Sequence, residues 1–118
     1  YVVDSGEVES TPDEVRDDLR DALDDCGQEA LDQVADAASA RDPLLDVTTA
    51  VREGRPAPEI AEYARAVDAD VVAMGTRGRH GENRFLIGSV AERVVRTCPV
   101  PVLTVRQLTD EDPRRVTA

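Results

Sequence analysis

The run VVAMG at residues 71–75 constrains this chain more than any other stretch. Unbroken apolar residues ending in a glycine fit a strand covered on both faces, and such strands belong to parallel sheets flanked by helices. The neighbouring segments agree. Pro58 opens a helix to about Val67, with Ile60, Ala61, Ala64 and Val67 as its buried stripe. Beyond the run, Ser89-Val-Ala-Glu92 has the form of a capping box and starts a helix to about Thr97. Pro99 and Pro101 then lead into a last apolar strand, VLTVR, at 102–106.

The first half repeats the alternation. YVVD opens as a strand, and Thr11-Pro-Asp-Glu14 carries a capping threonine, a proline suited to the first helical position and a capping-box glutamate. Val15, Leu19, Ala22, Leu23, Cys26, Ala30, Val34 and Ala38 follow at helical spacing and define an amphipathic helix of about 28 residues, which Gly27 is placed to bend. Residues 44–53, LLDVTTAVRE, read as a strand that turns at Gly54 and Pro56. Strands alternating with helices predict an α/β fold with a parallel sheet and right-handed crossovers. At 118 residues this is a single domain, 1–118, with 107–118 a polar tail.

Charge narrows the function. The net charge is −11, which argues against a nucleic-acid surface. All 14 basic residues are arginine, and an acidic surface without lysine resembles that of cytoplasmic proteins from extreme halophiles, where salt screens self-repulsion. No apolar run is long enough to span a membrane, so a soluble, cytoplasmic protein is expected. Cys26 and Cys98 lack metal-like spacing and are expected to be buried thiols. The acids are concentrated early. Residues 71–106 hold only Glu82 and Glu92 against Arg77, Arg79, Arg84, Arg93, Arg96 and Arg106, so an anionic ligand would be drawn there.

That basic segment contains GTRGRHGENRFLIGS, with four of the seven glycines. It matches neither the lysine-bearing phosphate loop nor the dinucleotide fingerprint. Its layout nevertheless has the parts of an anion site. Gly75 ends a strand at the carboxyl edge of the sheet, where open α/β sheets bind ligands. Gly75 and Gly78 allow the backbone to turn and approach an anion, and Gly88-Ser89 opens a helix whose amides favour phosphate. Ser89 can also serve simply as a helix cap, and its hydroxyl has capacity for both roles.

Residues 71–106 together, with the spacing Gly75-x-x-Gly78 and then nine residues to Gly88-Ser89, resemble the C-terminal half of the ATP-binding branch of the universal stress protein family. VREGRP and YVVD resemble further parts of that family, so the likeness covers residues 1–106. The resemblance implies a flavodoxin-like, adenine nucleotide alpha-hydrolase-like three-layer sandwich with sheet order 3-2-1-4-5. It implies ATP with adenine near Val2 and Met74 and phosphates on Gly75, Gly78, Gly88, Ser89 and Val90. Arg77 and Arg79 would add charge, and Arg84 is a further candidate. A magnesium ion held by phosphate oxygens and Ser89 is compatible with it.

The same resemblance implies a first strand and helix absent from this sequence, roughly 35–45 residues for one such unit. It also implies a homodimer paired through the last strand, 102–106. No residue is flagged as a catalytic base. ATP binding with little or no turnover is therefore expected, with a dimeric scaffold whose loop is structural or holds another anion, or a slow ATPase, as the alternatives.

Overall fold

The computed structural model describes residues 1–76 and 88–106. They form two compact units, Tyr1–Glu59 and Ile60–Ala118. The first contains β1 (Val2–Asp4), α1 (Ser5–Glu9), α2 (Asp13–Arg41) and β2 (Arg52–Gly54). α3 (Pro56–Ala66) begins in the first unit and ends in the second, which continues with β3 (Val72–Gly75), α4 (Ser89–Thr97) and β4 (Val102–Val105). The class is α/β. β1 runs parallel to β2 and β3 parallel to β4, and each pair forms a two-stranded sheet. Among the described residues, no helix is long and apolar enough to cross a membrane.

In the first unit the core is Val3, Val8 and Ala57, a set of small side chains. Asp4 caps α1 by accepting from the Gly6 amide at 2.9 Å. This five-residue helix escapes sequence reading because it is too short to show a periodicity. It also changes the role of Thr11. The threonine hydroxyl donates to the Glu7 carbonyl at 2.8 Å, closing α1, while α2 starts behind Pro12 without a side-chain cap. Arg16 donates to the Thr11 carbonyl at 3.0 Å and pairs with Asp13 at 2.8 Å, which fixes the corner between the two helices.

α2 has the expected length but presents a different stripe. Val15 and Val34 are exposed, as are Cys26 and Ala30. The better-covered positions are Leu19, Leu23, Gly27, Leu31, Ala35 and Ala38. Their spacing is still helical; the face is rotated because Gly27, not the large apolar residues, marks the inner side. The Tyr1 ring explains this. A Cβ built on Gly27 would stand 2.5 Å from Tyr1 Cδ1, so the ring packs where only a glycine leaves room. The expectation that Cys26 is buried is thus corrected: it is exposed, and Cys98 is half-buried.

The strand expected over residues 44–53 shrinks to Arg52–Gly54. Its partner supplies the reason. The Tyr1 carbonyl accepts from the Arg52 amide at 2.9 Å and the Tyr1 amine donates to the Ala50 carbonyl at 2.9 Å. Residues 44–49 have no ladder partner among the described residues, and Leu44 and Leu45 stand exposed. Gly54 is the second glycine required by packing. Its φ is +158°, and a Cβ there would meet Glu59 Oε1 at 2.6 Å. Glu59 is held in place by Arg52, at 2.7 Å.

In the second unit α3 ends on Asp68, whose φ of 58° places it in the left-handed region. The Asp68 amide donates to the Arg65 carbonyl at 3.2 Å and the Ala69 amide to the Ala64 carbonyl at 2.9 Å. This is the Schellman closure, usually made with glycine. Ala64, Ala91 and Val94 are the buried apolar residues, and α4 lies against β4. β3 alternates along its length. Val72 and Met74 are half-buried, while Ala73 and Gly75 are exposed, so the expectation of cover on both faces does not hold in this structure. Leu103 and Val105 on β4 are exposed on the same alternation.

Candidate functional site

The candidate site is the corner where β3 ends and α4 begins. Gly75 pairs with Val105 at the carboxyl end of the sheet. The next residue is fixed twice by its backbone: the Thr76 amide donates to the Val105 carbonyl at 3.0 Å, and the Thr76 carbonyl accepts from the Gly88 amide at 2.5 Å. Residue 88 is thereby tied directly to the end of β3. Thr76 and Gly88, distant in sequence, are thus joined in one hydrogen-bonded corner, with Gly75 and Ser89 beside them.

The helix start differs from the capping box expected at Ser89. Gly88 is the N-cap, and the first turn closes with the Glu92 amide donating to the Gly88 carbonyl at 2.9 Å. Ser89 is the first helical residue and is exposed, so its hydroxyl is not the cap. Glu92 pairs instead with Arg96 one turn on. With no side chain at the N-cap, the helix provides no acceptor for the amides of Ser89, Val90 and Ala91. Those amides and the positive end of the helix dipole are the elements that bind anions.

The glycines sort into two groups. Gly27 and Gly54 are required by their surroundings, as shown above. Gly75 is not: a Cβ there would meet nothing nearer than the Val105 carbonyl oxygen at 3.9 Å, an ordinary contact. Gly88 has φ −67° and ψ 157°, a conformation open to any residue. Neither the backbone angles at Gly88 nor the described neighbours of Gly75 demand glycine. What a side chain would occupy is the space beside the strand end and the helix start, and leaving that space clear suits a ligand seated close to the backbone.

Thr76 adds a second observation. Its Oγ1 is shielded from solvent and has no hydrogen-bond partner among the described residues. A buried hydroxyl without a partner costs about 1–3 kcal/mol, so such groups need an explanation. Sequence reasoning missed this residue. A threonine after a strand-ending glycine has no local signature of an unmet hydroxyl.

The other expected residues divide as follows. Met74 lies one position before the corner, paired with Thr104 and half-buried. Val90 is the second residue of α4 and half-buried. Val2 lies in the first unit, on β1, paired with Arg52. Arg77, Gly78 and Arg79, with Arg84, fall outside the described residues. Among the described residues no group of His, Cys, Asp or Glu side chains is placed to hold a metal ion.

The family model described as the universal stress protein family matches residues 1–106. The chain belongs to the universal stress protein family. This universal stress protein is 41% identical over 108 residues to Universal stress protein MJ0531 of Methanocaldococcus jannaschii, covering 91% of the chain and 62% of that relative. It is 36% identical over 107 residues to a universal stress protein of Methanothermobacter thermautotrophicus, covering 90% of the chain and 73% of the relative. Among solved structures, hypothetical protein MJ0577, described as a test case for structure-based assignment of biochemical function, superposes with a TM-score of 0.78 at 25% identity, over 92% of this chain and 73% of that one. Hypothetical protein PH0823 superposes with a TM-score of 0.71 over 94% of this chain and 75% of its own; at 23% identity it speaks for the fold alone.

Proposed function

We propose that this universal stress protein binds ATP at the corner of β3 and α4 and turns it over slowly or not at all. The observation that carries the reading is the corner itself. Gly75, which no described neighbour requires to be glycine, and Gly88 flank a helix N-terminus whose N-cap provides no side-chain acceptor. The phosphates would lie on Gly75, Gly88, Ser89 and Val90, joined by Gly78, with Arg77 and Arg79 supplying charge. The adenine would lie by Met74. When bound, magnesium would offset phosphate charge, with the Ser89 hydroxyl as the one protein ligand suggested. In this reading the protein's own part is to position the phosphates.

Calorimetric titration of the protein with ATP in concentrated KCl is the test. Saturable binding is expected, with phosphate release at or near background. A folded protein showing no heat of binding at millimolar ATP would overturn the proposal. That outcome would favour the alternative of a dimeric scaffold, for which the exposed Leu103 and Val105 of β4 are the supporting observation.

A further inference from the structure

We propose that the part of α2 beyond Gly27, residues 28–41, is an ionic-strength switch: salt holds it helical, and dilution of salt loosens it while the second unit stays folded.

Three independent observations meet in this segment. The first is charge. Residues 21–40 carry six acids, Asp21, Asp24, Asp25, Glu29, Asp32 and Asp36, and no base. All six are exposed, and none takes an ion pair among the described residues. The pairs that α2 does form within itself, Asp13 with Arg16 and Asp17 with Arg20, lie at its start. Asp21, Asp25, Glu29, Asp32 and Asp36 follow one another at steps of three or four residues, so each faces the next on the helix surface. Like charges at that spacing oppose the helix. The second observation is burial. Gly27 is the one buried residue of α2, and beyond it Leu31, Ala35 and Ala38 are only half-buried while Val34 is exposed. The third is anchoring. The first half is fastened by Arg16 at the corner with α1, by Arg20 on Glu53 of β2 at 2.8 Å, and by the Tyr1 ring on Gly27. The second half runs on into residues 44–49, which have no ladder partner among the described residues.

A helical segment with repulsion along it, little burial beneath it and no fixed continuation depends on its solvent. Facing side chains one turn apart stand about 5–6 Å from each other. Screening extends over about 10 Å in 0.1 M salt and about 3 Å in 1 M, so only concentrated salt separates these charges from one another. Gly27 has the lowest helix propensity in α2 and marks the boundary between the fastened half and the loose one.

Amide hydrogen exchange of the full chain in 0.1 M and 3 M KCl tests the proposal. Protection of residues 30–40 should rise about 3- to 10-fold with salt, the relief of the three like-charge contacts from Asp25 to Asp36. Residues 93–97 of α4 should change by less than about twofold. Asp25→Lys combined with Asp32→Lys turns the same contacts into attractions and should give residues 30–40 their high-salt protection already in 0.1 M KCl. Asp46→Lys combined with Asp70→Lys changes the net charge equally, at exposed positions outside α2, and should leave those residues as they are in the parent. Protection that salt does not raise, an equal rise in α4, no gain in the first variant or an equal gain in the second would each overturn the proposal.

Discussion

Gly88→Val is expected to cost ATP binding at least a hundredfold while the protein still folds. The backbone at residue 88, φ −67° and ψ 157°, lies in the extended region that β-branched residues favour. The structural penalty is confined to the N-cap, where valine is poorer than glycine by about 0.5–1 kcal/mol. The binding penalty is larger because of where the new side chain stands. Gly88 precedes the amides of Ser89 and Val90, and isopropyl bulk there would hold an anion away from both. A hydrogen bond to a charged group contributes about 1.5–3 kcal/mol, so losing two amounts to a factor of 100 or more. Calorimetry for affinity and a thermal melt for folding separate the two effects. A folded Gly88→Val variant with parental affinity would mean that the helix start does not hold the ligand.

The second large effect concerns stability. Val94 is 0% exposed on the inner face of α4, whereas its neighbour Val95 is 49% exposed. Val94→Asp would bury a carboxylate on the inner face of α4. An uncompensated buried charge costs about 3–5 kcal/mol, a large share of the roughly 5–15 kcal/mol that holds a domain together. Val95→Asp changes the same helix by the same chemistry but leaves the charge in water, and should alter stability by no more than about 0.5 kcal/mol. Urea unfolding of the two variants should therefore give widely separated midpoints. Equal midpoints would show that α4 does not pack by the face assigned to it.

Much of this architecture could be read from the residues because apolar periodicity and proline position are local signals. α3, β3, α4 and β4 fall within about two residues of their expected bounds, an ordinary error for helix ends. The failures share one cause: they depend on contacts made across the chain. Thr11 and Ser89 each have the pattern of a helix cap. Thr11 is taken by the Glu7 carbonyl, and Ser89 is displaced because Gly88 is tied to Thr76. The inner face of α2 is set by Tyr1, which reaches Gly27 from 26 residues away in sequence. Residues 44–49 have strand composition but no neighbour to pair with, and composition alone does not make a ladder.

The site was legible in the same partial way. The spacing of Gly75, Gly88 and Ser89 identified the corner, since strand end and helix start must meet in a parallel α/β unit. That Gly27 and Gly54 are required by packing emerged only from three-dimensional neighbours. Thr76 belongs to the same class. Its hydroxyl is notable for what does not touch it, and no sequence pattern records that.

The central claim is that backbone amides at the start of α4 hold the phosphates of ATP. An ATP titration followed amide by amide with nitrogen-15 labelled protein tests it most directly. The account predicts that the resonances of Ser89, Val90 and Ala91, with those of Gly75 and Thr76, shift most and saturate together at the affinity found by calorimetry. ATP binding that leaves those five amides unmoved, while others shift, would contradict it.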